Sequence, residues 1–262
     1  MSERFQDYAI SYLVIVGLIC AVSSCSSRSN EQSPADNTRS TAEYIAQADQ
    51  DYAQRDDLVR VRQGIILLEE ALTTEPGNYD AAWRISKFDY YLGTHTDINA
   101  ERDKAFSDGV DAGKIAVKLQ DGKPDGHFWL GANYGGRAQS SLLAGLASVD
   151  DIRNEMETVL RLDEGYQSGS AYMVLGLVNL QAPKLIGGDP QKAVDEMEKG
   201  LRFGKTNALL HLHLAEAYLR VGRTADARRQ LNEILSMTPD QGYLPEYKEA
   251  VSKAQKLLPK TG

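Results

Sequence analysis

The sequence is short of the residues from which covalent and metal frameworks are built. Its 262 residues include only 2 cysteines and 4 histidines. Two cysteines exclude a disulfide framework and a zinc site made of several cysteines. With so few histidines as well, the sequence predicts neither a metal site nor a bound cofactor.

Basic residues are also scarce. The sequence has 29 lysines and arginines against 37 aspartates and glutamates, which gives a formal net charge of −8. That balance argues against a nucleic-acid partner, whose phosphates attract a basic surface.

Groups of residues that could carry out catalysis are missing too. His211 and His213 are two positions apart, so on a helix they point to different sides, and no nucleophile is accompanied by a base and an orienting group. We therefore expect a protein that is not an enzyme.

A long apolar run is absent. The longest is Ala9–Val22, which is shorter than the roughly 20 residues that span a membrane but suits the core of a signal peptide. It ends in Val22-Ser23-Ser24-Cys25, which resembles a bacterial lipobox. We expect residues 1–24 to be a lipoprotein signal peptide and Cys25 to carry the lipid anchor. Ser26 favours the periplasmic face of the outer membrane if the cell is Gram-negative. The alternative is an uncleaved N-terminal anchor.

The remainder divides into a tether and a folded domain. Residues 25–40 are rich in Ser, Asn and Gln, and such a composition cannot bury a core, which favours a flexible tether. At 42% hydrophobic and 25% charged, the chain as a whole can still support a packed core. We expect residues 41–262 to form that domain.

The domain is predicted to be a helical repeat. The segment Asn207–Pro239 resembles one tetratricopeptide (TPR) repeat, a helix pair of about 34 residues. The agreeing positions are Leu214, Ala215, Tyr218, Ala227, Leu231 and Pro239. Small residues such as Ala215 and Ala227 let two helices approach closely. Looser copies upstream predict an all-α, TPR-like α-solenoid of about five helix pairs, closed by a C-terminal capping helix over Tyr247–Leu258.

Three further stretches are more specific. They are Asn78–Ile85 after Glu75-Pro76, His127–Asn133, and Leu162–Tyr166 leading to Gly187-Gly188-Asp189. Together with the lipobox they resemble the lipoproteins known as T-components of tripartite (TRAP) transporters, over roughly residues 41–239. The resemblance implies a non-enzymatic envelope protein. It also implies homo-oligomers, a periplasmic solute-binding protein as partner, and passage of small, apolar ligands.

TPR solenoids bind on the concave face, which is lined by the first helix of each pair. The repeat register predicts a groove that is mostly aromatic and aliphatic, with two isolated charges, and so suits an apolar ligand or an amphipathic segment. Its predicted residues are Trp83, Lys87, Tyr90, Tyr91, Phe128, Ala132, Met173, Leu177, Leu180, Leu212, Glu216 and Leu219. Two alternatives remain open for these side chains, which are plain core packing and an oligomer contact.

Two functional hypotheses follow. The first is a lipid-anchored envelope protein that binds a partner protein, an apolar small ligand or both, as an accessory of TRAP-type solute uptake. The second is an envelope scaffold or assembly factor that binds other proteins through the same groove. The first predicts an enclosed cavity, and the second predicts an open one.

Overall fold

The computed structural model describes residues 39–138 and 142–262, which belong to one compact unit. The predicted signal peptide, Cys25 and nearly all of the tether lie outside the described residues. Within them no strand occurs, and eleven α-helices follow one another along the chain. Their bounds are α1 Thr41–Tyr52, α2 Leu58–Thr74, α3 Tyr79–His95, α4 Asn99–Leu119, α5 Pro124–Ala138, α6 Leu142–Leu162, α7 Tyr166–Gln181, α8 Pro190–Gly200, α9 Ala208–Arg220, α10 Thr224–Ser236 and α11 Leu244–Leu257.

The helices pack as consecutive pairs, α1 with α2 through α9 with α10, and each pair packs against the next. Helix α11 packs on both helices of the fifth pair. The prediction of an all-α solenoid of five pairs and a cap is therefore confirmed. Two short 3₁₀ turns, Lys184–Ile186 and Gln241–Tyr243, lie in connections between helices, and a third, Leu258–Thr261, follows α11.

Local sequence explains where several helices begin and turn. The side chains of Asn78 and Asn207 accept hydrogen bonds from backbone N–H groups in the first turns of α3 and α9, and Asp189 does the same for α8, which starts with a proline. Such caps satisfy donors that have no partner within the helix. Between α9 and α10, Gly222 has a φ of 79°, a conformation that glycine adopts without steric cost.

The core runs along the solenoid as a chain of apolar clusters between successive pairs. In the fifth pair Ala215 and Ala227 are fully buried, at the places where the repeat pattern expects small residues. In the fourth pair Gly176 takes the place of the first alanine, and a Cβ there would lie 2.6 Å from Cγ of Met197. Among the described residues, none of the helices is long and apolar enough to cross a membrane.

Candidate functional site: a cavity on the concave face

A cavity of about 570 Å³ lies on the concave face of the solenoid. The first helix of every pair contributes to its wall, and the segment that leads into α11 covers one side. The volume falls within the roughly 300–1,000 Å³ of small-molecule sites. Its lining residues include Asp49, Tyr52, Arg55, Lys87, Tyr90, Tyr91, Phe128, Trp129, Ala132, Gln167, Met173, Val174, Leu177, Leu209, His213, Asp240, Tyr243, Glu246, Tyr247 and Glu249.

One wall of the cavity is aromatic. The rings of Tyr90 and Trp129 lie 5.8 Å apart between centroids, and Phe128 meets Trp129 edge to face at 4.9 Å. Such contacts hold large rings in fixed positions. The indole N–H of Trp129 is buried and has no hydrogen-bond acceptor in the described part of the chain.

The other wall is aliphatic. Met173, Val174 and Leu177 of α7 line it, and Leu209 of α9 continues it. These side chains are only partly buried by the protein, although Met173 and Leu177 also pack against the core of the last pairs. The cavity therefore offers an apolar ligand one rigid aromatic surface and one aliphatic surface.

Lys87 brings a positive charge to the aromatic wall. Its Nζ lies 3.9 Å from the ring centroid of Tyr52 and 6.0 Å from that of Trp129, close enough for cation–π attraction. Burial lowers the pKa of the Lys87 ammonium to about 8, although the charge of Asp49 opposes this. The side chain is therefore mostly charged at neutral pH but poorly solvated.

An ion pair joins the two ends of the solenoid beside the cavity. Arg55, in the turn after α1, donates to Glu246 at the start of α11, through Nε to Oε1 at 2.9 Å and Nη2 to Oε2 at 2.5 Å. Its Nη2 also donates to the carbonyl of Gly242 at 2.6 Å. The Arg55 side chain is only 4% exposed. We call this contact the end clasp.

A turn of left-handed residues at the start of α7 contacts the segment that leads into α11. Gln167 and Ser168 have φ angles of 48° and 53°, and Gly169 follows at 74°. A left-handed conformation costs a residue with a side chain about 1–2 kcal/mol. The hydroxyl of Tyr243 donates to Oε1 of Gln167 at 2.5 Å. The turn thus presents Gln167 to the segment that covers the cavity.

The structure gathers seven of the twelve predicted groove residues around this cavity. They are Lys87, Tyr90, Tyr91, Phe128, Ala132, Met173 and Leu177. These positions come from the second, third and fourth pairs. Two other predicted residues of those pairs, Trp83 and Leu180, are not among the lining residues.

The other five predicted residues do not line the cavity. Leu212 is fully buried in the core, and Leu180 and Leu219 pack against that core. The carboxylate of Glu216 binds Nδ1 of His213 at 2.7 Å, and Trp83 donates to Asp80 at 3.1 Å. In the fifth pair it is Leu209 and His213 that reach the cavity, so the register of that pair differs from the expected one.

Sequence reasoning missed the contribution of the segments between and after the repeats. Asp240, Tyr243, Glu246 and Glu249 come from the C-terminal segment, and Arg55 from the turn after α1. They make the lining more charged than the predicted groove. A repeat pattern describes neighbouring pairs, so it carries no signal for a contact between the first pair and the cap.

Comparison with known proteins identifies the family. The model of the TRAP transporter T-component family matches residues 100–258. The stretches His127–Asn133 and Leu162–Tyr166 lie inside the match, whereas Asn78–Ile85 lies before it. No curated protein matches the chain in sequence.

Two solved structures show the same fold. A thermophilic TPR protein of Thermus thermophilus is 21% identical, with a TM-score of 0.61, over 81% of this chain and 99% of that one. Pseudomonas aeruginosa pilF is 18% identical, with a TM-score of 0.53, over 83% of this chain and 90% of its own. The family match, spanning more than half of the sequence, together with the TPR fold, shows that this chain belongs to the TRAP transporter T-component family and is a TPR-type accessory protein involved in protein interactions.

Proposed function

We propose that this protein is a lipid-anchored envelope accessory of TRAP-type solute uptake that holds an apolar small molecule in the cavity on its concave face. The observation that carries the proposal is the cavity itself, which combines an aromatic and an aliphatic wall in about 570 Å³. Apolar surface left unfilled in a folded protein favours an apolar occupant. The end clasp holds the segment before α11 against the first pair at the edge of the cavity, and we expect this segment to limit the access of water to the occupant.

The test fills the cavity from within. Leu177→Trp places a larger ring on the aliphatic wall, and we expect it to abolish binding of an apolar fluorescent probe such as N-phenyl-naphthylamine. Leu180→Trp is the matched control, because Leu180 lies on the same helix but outside the cavity. Circular dichroism confirms that both variants fold. Equal probe binding by the two folded variants would show that the ligand does not occupy this cavity.

The ligand is passed, on this proposal, to a periplasmic solute-binding protein docked on the solenoid. Membership of the T-component family supports this partner. Co-purification from the native envelope, followed by native mass spectrometry, identifies the complex and its stoichiometry. The mass of the complex also distinguishes a single copy of this chain from a homo-oligomer. A ligand-loaded protein that never captures a solute-binding protein would contradict this step.

Cys25 supplies the membrane attachment in this proposal. The support is the stretch Val22-Ser23-Ser24-Cys25 after a short apolar run. Cys25→Ser removes the thiol that accepts the lipid. We expect the variant to lose the mass of the acyl groups and to leave the outer-membrane fraction of a Gram-negative host, and unchanged fractionation would contradict the anchor.

The second hypothesis, an envelope scaffold, keeps the protein partner but replaces the small molecule with a protein segment. The segment leading into α11 covers one side of the cavity, which favours a small ligand over a long peptide. Native mass spectrometry that finds a stoichiometric protein partner and no small-molecule adduct would favour the scaffold instead.

A further inference from the structure

The carboxylates that line the cavity are already engaged. Glu246 is held by Arg55 in the end clasp, and Asp49 accepts from Nε of Arg84 at 3.0 Å. Glu249 accepts from Nζ of Lys253 at 2.6 Å. Asp240 accepts from the backbone N–H of Gly242 at 2.8 Å. Each negative charge at this wall therefore has a donor within the protein.

Lys87 is different. Within the described residues no carboxylate lies within 4.0 Å of its ammonium, and its close neighbours are the rings of Tyr52, Trp83 and Trp129. A cation held against aromatic faces gains some attraction, but less than a charge-assisted hydrogen bond provides. A buried charge without a counter-ion is costly, and proteins normally pair it.

The surroundings of Lys87 fit an anionic group at one end of an apolar molecule. The ring of Trp129 lies beside it, with its centroid 6.0 Å from Nζ, so the ammonium lies against an aromatic wall and has no anionic acceptor of its own. Met173 and Leu177 line the same cavity and would contact a hydrocarbon chain. Burial also lowers the pKa of Lys87, which is the cost that a bound anion would offset.

We propose that Lys87 is the counter-ion for the single anionic head group of an amphipathic ligand, whose apolar chain lies along Trp129, Met173 and Leu177. This inference rests on the proposed function, because it names the chemical class of the ligand that the cavity holds. A lysine is a point charge and does not by itself distinguish a carboxylate from a phosphate monoester.

The test compares probes that share one hydrocarbon chain and differ in the head group. Dodecanoate, monododecyl phosphate, dodecanol and dodecylammonium are titrated below their micellar concentrations into the full chain, by calorimetry. We expect at least one anion to bind about tenfold more tightly than dodecanol, a difference of about 1.4 kcal/mol. The two anions together show which source of negative charge is preferred.

Variants of Lys87 assign the preference to this side chain. Lys87→Met keeps most of the apolar stem and removes the charge, so the anion should lose its advantage over dodecanol while dodecanol binds as before. Lys87→Arg should keep the advantage. Lys184→Met is the control, because Lys184 is an exposed lysine in the short turn after α7. Thermal unfolding confirms that each variant folds.

The possible outcomes distinguish a failure of this inference from a failure of the proposed apolar-ligand function. If no probe binds, the proposed apolar-ligand function fails. If dodecanol and the anions bind equally, or if Lys87→Met keeps the preference, the cavity still binds apolar chains but the counter-ion role is wrong. Tighter binding of dodecylammonium would overturn it as well, since the lining carboxylates would then select the ligand.

Discussion

The third and fifth helix pairs each carry a buried histidine at the start of the first helix, but the two residues have different partners. Nε2 of His127 lies 2.8 Å from the carbonyl of Asp121, and its Nδ1 lies 2.6 Å from a carboxylate oxygen of Glu155. Nε2 of His211 lies 3.0 Å from the carbonyl of Lys205, and its Nδ1 lies 2.6 Å from the amide oxygen of Gln230. Each histidine therefore ties the entry of one helix to the second helix of its pair.

The difference lies in what the second partner can do. A carbonyl and a carboxylate only accept hydrogen bonds, so the ring of His127 satisfies both by donating from both nitrogens, as the protonated imidazolium. A glutamine carries a donor as well as an acceptor and can turn its amide to suit a neutral ring. The hydrogen bond to Glu155 raises the pKa of His127, although burial opposes it. The same contact thus favours a protonated histidine in the third pair and includes no carboxylate in the fifth.

Of the substitutions that test this comparison, removing either histidine should lower the stability of the protein the most. We expect His127→Ala and His211→Ala each to lower the free energy of unfolding by about 2–4 kcal/mol, because a cavity forms and a buried carbonyl and its side-chain partner lose a donor. Urea denaturation followed by circular dichroism measures the change. His213→Ala is the control on the same helix, since His213 is less buried and should cost under about 1 kcal/mol. Equal costs at positions 211 and 213 would contradict the anchoring role.

Glu155→Gln should turn the third pair into a copy of the fifth. A raised pKa in the folded state means that the stabilisation from His127 is fully present below its unfolded pKa of about 6.5 and is lost as the pH rises through the folded value. The variant should therefore be destabilised by about 1–2 kcal/mol near pH 6 and by less near pH 9. Unfolding free energies across that range measure the slope. A variant with the slope of the wild type would show that another group carries the pH dependence.

The reverse exchange, Gln230→Glu, should have the smallest effect. Gln230 is buried, so a carboxylate there is costly unless His211 is protonated. We expect the variant to come within about 1 kcal/mol of the wild type near pH 5 and to fall below it as the pH rises. The double variant Glu155→Gln with Gln230→Glu should move the pH dependence from the third pair to the fifth. If the single exchange leaves stability unchanged at every pH, the two contacts are not equivalent.

Much of the fold could be predicted from the sequence, because the same pattern of small and apolar residues recurs in successive helix pairs. The alanines 215 and 227 predicted the close approach of α9 and α10, and both are fully buried between these helices. The specific partners of His127 could not be inferred from the sequence, because Glu155 is on a different helix and nothing in the local pattern links the two residues.

The cavity was less accessible to sequence reasoning. The register of the second to fourth pairs placed seven residues at its wall. In the fifth pair the expected register pointed to Leu212, whereas that side chain is fully buried in the core of the last pairs and Leu209 lies at the cavity. Helix packing against a cap lies outside the repeat period. The same limitation hid Arg55 and Glu246, which are separated by most of the chain.

The end clasp changes how this repeat array should respond to stress. In an open solenoid each repeat contacts only its neighbours, so the terminal repeats fray independently of one another. Here a buried arginine of the first pair is bound to the start of the last helix, and the two termini open or stay closed together. We therefore expect the slow amide exchange rates of α1 and α11 to change together. The linear array would then unfold as if its two ends were joined.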